Sequence, residues 1–389
     1  MDFNNTETAF AYKSNSQLKR ALRLFKLMNN NTLVYIGSRL TNFALQLHFP
    51  IKSIIRNTIF EQFCGGENVN DCKKRIDQLS GYNIGAILDY SVEGKGEEND
   101  FNETVLEIKR TIDAAFSNDH IPFSVFKMTG LGSFSILKAA NNGVDHLELP
   151  KKEEFDNLVS RVDEICKYAH DKNVPIFIDA EDSWYQGTID RVIEIMMERY
   201  NQQNIIVYTT IQFYRWGRLE YLDKLVIDAQ DRKYKLGVKL VRGAYMEKER
   251  ERAEEMGYKD PIHKSKEDTD NDYDLGLKSC IDNIENVNIC AGTHNEKSTD
   301  YLLNLMKAKG IKNNDSRVYF AQLLGMSDHI SFNLSKAGYN VAKYVPYGPI
   351  SEVMPYLMRR AEENTSVAGQ TGRELSLIKK EIKRRSIEV

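Results

Sequence analysis

Leu236-Gly-Val-Lys-Leu-Val-Arg-Gly-Ala-Tyr245 is an apolar, strand-like run that leads directly into a glycine turn. Its near-continuous apolar character is typical of a strand buried on both faces, as in a parallel sheet. Lys239 interrupts the run, and Arg242 follows where the run ends. Because a buried charge without a partner is costly, these cations predict polar groups around the end of the strand.

Seven further runs of this kind are Ala86–Tyr90, Pro122–Met128, Val174–Ile178, Ile205–Thr210, Val287–Gly292, Arg317–Ala321 and Ala342–Val345. Most are followed by stretches with helical character, among them Phe155–Asp171, Ile189–Tyr200, Leu219–Arg232 and Thr299–Lys309. This alternation predicts an α/β fold, a closed (β/α)8 TIM-type barrel, for which roughly 250 residues is typical. A doubly wound open sheet is the alternative, because the pattern alone does not show closure.

Residues 1–80 differ from the rest and predict an N-terminal helical region, so that residues 81–389 form the barrel with its C-terminal helices. The long connection 243–274 is densely charged, and its composition predicts a solvated helix plus a loop. Near the C-terminus, residues 373–385 place Leu375, Ile378 and Ile382 on one helical face among many basic residues. A closing helix packed on the barrel is favoured, and a helix lying on an anionic membrane is the alternative.

The bulk composition excludes several classes of protein. The 389 residues carry a net charge of −3, which argues against a nucleic-acid-binding surface. Five scattered cysteines without a CxxC pair predict neither a disulfide framework nor a metal site, and they favour a reducing compartment. We see no signal peptide, transit peptide or spanning helix, so a cytoplasmic location is expected, with peripheral contact at the inner membrane left open.

Polar side chains stand at the ends of all eight predicted strands, where a barrel carries its chemistry. Each one alone has an ordinary structural explanation as a cap or turn residue. Together they favour a polar ligand with phosphate or carboxylate groups. The main candidates are Lys127, Asp179, Gln212, Lys239 and His294.

Two adjacent arginines, Arg359 and Arg360, follow the last predicted strand. On this segment alone the favoured interpretation is a surface helix in which Arg359 pairs with Glu363. The alternative is a clamp for a small acid, because two guanidiniums suit bidentate binding of a carboxylate.

Five motifs resemble those of the proline dehydrogenase family, in its stand-alone form related to the mitochondrial enzymes. They are Lys239-Leu-Val-Arg-Gly-Ala-Tyr245, Gly292-Thr-His-Asn295, Gln322-Leu-Leu-Gly-Met326, Lys343-Tyr-Val-Pro-Tyr-Gly348 and Tyr356-Leu-Met-Arg-Arg-Ala-Glu-Glu-Asn364. The resemblance covers residues 85–365 and implies a distorted (β/α)8 barrel that binds FAD. It implies oxidation of L-proline to Δ1-pyrroline-5-carboxylate, with hydride transfer from C5 to flavin N5 and membrane quinone as electron acceptor.

The resemblance also implies roles for individual residues. The substrate-binding group is Lys127, Tyr344, Arg359, Arg360 and Glu93, with Glu93 gating the pocket. The cofactor-binding group is Ala180, Gln212, Lys239, Val241, Arg242, Gly243, Ala244, Thr293 and His294, and the catalytic group is Asp179, Lys239 and Tyr344. Lys239 stands where many members have arginine, and Leu324 stands where the bifunctional enzymes have histidine. Tyr344 is expected to crowd hydroxyproline, so that proline is favoured.

Three alternatives remain at this point. Gly130-Leu-Gly132 partly matches a dinucleotide-binding fingerprint, although Ser135 stands where a third glycine or alanine is expected. Methylenetetrahydrofolate reductase is another flavin-binding barrel. A barrel that binds an amino acid without turning it over is the third. The oligomeric state is not determined by the sequence.

Overall fold

The structure is a computed structural model, and it describes residues 1–30, 32, 34, 52–92, 96–366 and 370–388, without the side chains of 362–366, 370 and 371. Eight parallel strands form one closed barrel in chain order. They are β1 Ile84–Tyr90, β2 Phe123–Lys127, β3 Ile176–Asp179, β4 Val207–Gln212, β5 Leu236–Val241, β6 Val287–Gly292, β7 Val318–Leu323 and β8 Val341–Tyr347. The predicted (β/α)8 barrel is confirmed, and the open-sheet alternative is wrong.

Two strands, β3 and β4, begin two residues later than predicted, for local reasons. Pro175 has no N–H to donate, and the preceding Val174 donates instead to Ala169 at the end of a helix. Before β4, the side-chain oxygen of Asn201 accepts from the backbone N–H of Ile206 at 3.0 Å. These backbone groups are therefore occupied before the sheet ladder begins.

Helices precede the barrel, connect its strands and follow it. Those of the N-terminal region are α1 Thr6–Ala9, α2 Asn15–Met28, α3 Lys52–Ile55, which continues through a π-helical turn Arg56–Phe60 into α4 Glu61–Phe63, and α5 Val69–Ser80. Those that follow are α6 Glu98–Phe116, α7 Phe134–Ala140, α8 Lys151–Asp171, α9 Ser183–Tyr200, α10 Arg218–Arg232, α11 Met246–Met256, α12 Lys266–Asp282, α13 Glu296–Ala308, α14 Asp328–Lys336, α15 Met354–Ser366 and α16 Gln370–Arg384. Among the described helices, none combines the length and the apolar character needed to cross a bilayer.

By its internal contacts the chain divides into two compact units. Unit 1 comprises Met1–Glu93 and Gln322–Val389, and unit 2 comprises Gly94–Ala321. The described part of residues 1–80 is largely helical, and it belongs to unit 1 together with the C-terminal helices. The predicted domain boundary between residues 80 and 81 stays a prediction.

Within unit 1 the C-terminal helix packs on the N-terminal region. The apolar face of α16 buries Leu377 and Ile378, and both belong to the same hydrophobic cluster as Leu22 and Phe25 of α2. Arg385 strengthens this contact, because its guanidinium donates to the backbone oxygens of Lys13 and Phe10, each at 2.8 Å. The apolar face predicted for this helix is therefore covered by helix α2 of the N-terminal region, whereas the favoured interpretation expected it to pack on the barrel.

A buried ion pair connects β8 to the rest of unit 1. The Lys343 ammonium lies 3.0 Å from Asp328 and donates to the Met326 carbonyl at 2.6 Å. Tyr12 donates to the other oxygen of Asp328 at 2.6 Å, and the ammonium of Lys13 lies 3.8 Å away. Burial raises the pKa of Asp328, but the charges of Lys343 and Lys13 outweigh burial and hold this pKa below its usual range. The N-terminal segment therefore completes the set of partners around this carboxylate.

Removing one member of this pair is expected to be costly. Lys343→Met leaves the buried carboxylate of Asp328 without its nearest cation, so the free energy of unfolding should fall by about 3 kcal/mol in urea titrations followed by circular dichroism. The control is Lys167→Met, which breaks an exposed ion pair with Asp171 and should change little. Equal effects of the two substitutions would contradict the prediction.

Candidate active site

Four polar residues of unit 2 align at the carboxyl end of neighbouring strands. Lys127 of β2 and Asp179 of β3 are register partners at the last pair of their ladder. Thr210 of β4 and Lys239 of β5 are also register partners, two pairs before the end of their ladder. Since paired residues of a parallel ladder point to the same face, this alignment brings their side chains to one edge of the sheet.

Asp179 and Lys239 form a buried ion pair across β4. The Lys239 ammonium donates to Oδ1 of Asp179, and the Thr210 hydroxyl donates to the same oxygen at 3.3 Å. The side chains of Lys239 and Asp179 are 6% and 14% exposed. The ion pair explains how a lysine is accommodated in an otherwise apolar strand, and it joins two of the predicted catalytic residues.

An aromatic layer lies next to this ion pair inside the barrel. The Phe123 ring stacks on that of Phe177 at 4.4 Å and meets that of Tyr319 edge-on at 4.9 Å. Because β2 and β7 are not neighbours, the contact between Phe123 and Tyr319 crosses the barrel interior. The Lys239 ammonium lies 5.1 Å from the centre of the Phe177 ring. The Asp179–Lys239 pair therefore lies against an apolar layer of aromatic rings, at the end of the barrel that carries the catalytic residues in this fold.

Arg242, just after β5, is fixed by four neighbours. Its guanidinium donates to Asp270 and Thr293 at 2.7 Å each and to Ser298 at 2.8 Å. It also lies over the ring of Tyr273, 4.2 Å from the ring centre. Two predicted cofactor-binding residues, Arg242 and Thr293, are therefore in direct contact.

The turn after β5 presents accessible backbone. Gly243 adopts a φ of +139°, and a Cβ there would lie 2.3 Å from the ring of Tyr214. Gly243 and Ala244 are exposed, whereas Gln212 is 3% exposed and its Oε1 has no hydrogen-bond partner in the part of the chain that is described. Exposed backbone beside a buried amide oxygen in need of a donor suits a polar ligand. The remaining predicted cofactor positions follow β3, end β5 and follow β6: Ala180, Val241 and His294.

Glu181 lies at the end of a predicted strand, but the sequence assigns it no role. Its carboxylate accepts from both the backbone N–H and the hydroxyl of Thr129, with 3.0 Å to the backbone nitrogen. Its own N–H donates to Gln186 at 2.7 Å. The signal that the sequence offers for this residue is its spacing, two residues after Asp179.

Glu249 corrects the expectation for the connection 243–274. This segment contains α11 and the first half of α12, and most of α11 is exposed as expected. Glu249, however, is fully buried and accepts from the backbone N–H of Ser183 at 2.7 Å and from the Ser183 hydroxyl. It thereby caps α9 from another helix, which no local sequence pattern indicates.

Unit 1 holds the other predicted residues. The carbonyl of Tyr344 accepts from the N–H of Leu324 at 2.8 Å. Arg360 on α15 is 6% exposed, with its guanidinium 5.0 Å from the ring centre of Tyr356, while Arg359 is half-buried. Glu93 lies outside the described residues, and so does the side chain of Glu363. The burial of Arg360 does not fit a wholly exposed surface helix.

Known proteins with similar sequences point to one family. A family model described as proline dehydrogenase matches residues 72–373. Proline dehydrogenase 1, mitochondrial, of Dictyostelium discoideum is 30% identical to this chain, covering 98% of it and 74% of the relative. The chain belongs to the proline dehydrogenase family. The resemblance predicted from the five motifs is confirmed.

Two further comparisons agree with a proline dehydrogenase barrel. The mitochondrial proline dehydrogenase 1 of Caenorhabditis elegans is 40% identical over 62% of this chain and 40% of its own length. A crystal structure of proline utilization A from Bdellovibrio bacteriovorus shares the fold, with a TM-score of 0.74 at 20% identity, over 93% of this chain and 38% of that one. The chain thus spans between about two fifths and three quarters of the proteins named here.

Membership of the proline dehydrogenase family removes two alternatives. The segment that partly matched a dinucleotide fingerprint connects β2 of the closed barrel to α7 and is not part of a doubly wound sheet, so that interpretation is wrong. A methylenetetrahydrofolate reductase is excluded by the family match.

The conformation of Gly243 yields a stability test with an internal control. Gly243→Ala imposes a positive φ on alanine and pushes a methyl group into the Tyr214 ring, so the free energy of unfolding should fall by about 3 kcal/mol. Gly257 also has a positive φ, of +68°, but among the described residues no atom outside its immediate neighbours lies within 4 Å of the place that a methyl group would take there. Gly257→Ala should therefore cost only about 1 kcal/mol in the same urea titration. Losses of equal size would mean that the Tyr214 ring moves aside freely.

Proposed function

We propose that this chain oxidises L-proline to Δ1-pyrroline-5-carboxylate, the first step of proline catabolism, with FAD as cofactor and membrane quinone as electron acceptor. The observation that carries the proposal is the buried Asp179–Lys239 pair at the carboxyl end of a barrel that matches this family. The order of the five motifs along the chain supports it.

The residues after β3 to β6 fit a large polar cofactor. Arg242 and Thr293 are held rigidly, Gly243 and Ala244 expose their backbone, and the Gln212 oxygen needs a donor. These residues, with Ala180, Val241, Lys239 and His294, would hold FAD. When bound, FAD supplies the acceptor for the hydride that leaves proline C5.

The substrate would be held by its carboxylate. We assign this role to Lys127, Arg359 and Arg360, because two guanidiniums and an ammonium bind a carboxylate more firmly than one point charge. Tyr344 would pack against the proline ring, and Glu93 would pair with Arg359 to gate the pocket. The assignment of these roles follows the family motifs.

Asp179 and Lys239 would act beside the reacting atoms. Asp179 fixes the direction of the Lys239 ammonium by accepting its hydrogen bond, with help from Thr210. A positive charge held in a buried site favours negative charge that develops during reaction, since little water screens it. A lysine in place of arginine keeps this charge but lacks the planar fork of donors.

The absorbance of the purified protein tests the function directly. Flavin bands that bleach on anaerobic addition of L-proline, and that return with a soluble quinone, are the expected result. Protein that cannot be reconstituted with FAD would contradict the proposal and favour an amino-acid-binding barrel without turnover.

Because Tyr344 is expected to crowd the hydroxyl, trans-4-hydroxy-L-proline should give a kcat/KM at least about tenfold lower than L-proline. Equal values would contradict the role of Tyr344 alone.

Substitution of the two arginines tests the proposed carboxylate clamp. Arg359→Met and Arg360→Met should each raise KM for proline by about two orders of magnitude while the flavin stays bound, because each removes a charge-assisted hydrogen bond. Arg359→Lys and Arg360→Lys keep the charge and lose the fork, so an intermediate KM is expected. A KM unchanged by Arg→Met at both positions would remove the clamp from the mechanism.

A further inference from the structure

Two buried carboxylates hold the loop that follows β3, one on each side. Glu181 of this loop accepts from the N–H and the hydroxyl of Thr129, which follows β2. Glu249 of α11 accepts from the N–H and the hydroxyl of Ser183, at the other end of the loop. The chemistry of the two contacts is the same, but only the first one reaches the strand that ends in Lys127.

The contact with Thr129 joins the two segments that follow β2 and β3, just beyond the last pair of their ladder. Lys127 and Asp179 are the last register partners, and Thr129 and Glu181 each lie two residues further along. Lys127 is the residue before the 3₁₀ turn, and Thr129 is the central residue of that turn. A carboxylate that binds both donors of Thr129 restricts the backbone conformation of the turn. It therefore also restricts the orientation of Lys127, the residue next to the turn.

Glu181 is itself anchored from behind by a chain of buried groups. Its N–H donates to Gln186, whose amide donates to Asp190 at 2.8 Å. Arg218 donates to both oxygens of Asp190, at 2.7 and 3.2 Å. All four of these side chains are less than a tenth exposed. The backbone of Glu181 is therefore linked to buried polar groups of α9 and α10, while its carboxylate binds Thr129.

The pKa of Glu181 lies near neutral pH. Burial raises its pKa to about 7, against the hydrogen bonds from Thr129 and the charge of Lys127, which lower it. Asp182 of the same loop adds a further rise, and Tyr185 of α9 faces the same carboxylate. The group is therefore ionised above about pH 7. Below that pH a proton cancels the charge that attracts Lys127 and replaces one acceptor oxygen by a hydroxyl.

We propose that Glu181 is a positioning residue that fixes Lys127 for binding of the substrate carboxylate. The inference rests on the proposed function, because it takes L-proline as the ligand of Lys127. A second consequence is that KM for proline rises as the pH falls below about 7, since the protonated Glu181 no longer orients Lys127.

The test compares variants of the full-length holoenzyme by KM and kcat for L-proline at about pH 6 and about pH 8. Glu181→Gln preserves the shape of the side chain and removes its charge. At the higher pH it should raise KM about tenfold with kcat within about twofold, and the rise of KM at low pH should disappear. Glu249→Gln is the matched control, a buried carboxylate whose pKa is also raised by burial. It should lower the Tm and leave both KM and its pH dependence unchanged.

Thr129 gives an independent pair of variants, which decides the matter if Glu181→Gln does not fold. Thr129→Val removes the hydroxyl donor at similar volume and should raise KM about fivefold, whereas Thr129→Ser keeps the donor and should restore KM to within about twofold of wild type.

Three outcomes would overturn the proposal. Glu181→Gln or Thr129→Val with the KM and pH profile of wild type would show that the contact is only structural. Glu249→Gln with the same rise in KM would show that the loop as a whole, and not Glu181, positions Lys127. Wild-type holoenzyme that binds flavin and does not oxidise proline would overturn both this proposal and the proposed function.

Discussion

A lysine inside a barrel strand needs a partner, and Lys239 finds that partner in Asp179, two strands away in unit 2. The pairing with Asp179 requires the last residue of β3 to lie level with Lys239 of β5, with Thr210 of β4 between them. The aromatic layer around Phe177 then lies on the apolar side of the pair. The ion pair thus lies between this aromatic layer and the carboxyl ends of the strands.

Unit 1 obeys the same constraint with a second lysine. Lys343 of β8 is buried, and its charge is balanced by Asp328 at the start of α14. Because Tyr12 and Lys13 also face this carboxylate, the N-terminal segment contributes to a site that neutralises a barrel strand. The N-terminal region therefore does more than cover apolar surface. Without it, the buried carboxylate of Asp328 would lose its contacts with Tyr12 and Lys13.

Buried carboxylates beyond the strands also have hydrogen-bonding partners that are distant in the sequence. Glu181 and Glu249 bind matching pairs of donors, on Thr129 and on Ser183, so the loop after Asp179 is tied at both ends. Neither contact resembles a local cap, because the partners are 52 and 66 residues apart. Long-range carboxylate caps of this kind hold loop residues in place without adding apolar contacts, which keeps the carboxyl end of the barrel polar.

The strands show how far the sequence predicted the fold. Apolar runs located all eight strands, and two of them, Leu236–Val241 and Val287–Gly292, were predicted with their observed bounds. The starts of β3 and β4 were predicted two residues too early, because Pro175 and Asn201 redirect backbone hydrogen bonds in ways that hydrophobicity does not register. The motifs likewise identified the family, and the polar strand ends included Asp179 and Lys239 as candidates.

What the sequence by itself determined is the alternation of strand and helix, the position of the polar strand ends and the family. Only the tertiary structure decided which charges meet: Asp179 with Lys239, Asp328 with Lys343, and Glu249 with the start of α9. The physical reason is that hydrophobic periodicity is local, with a period of two or 3.6 residues, whereas a buried charge is balanced by whichever opposite charge or donor the closed barrel brings beside it.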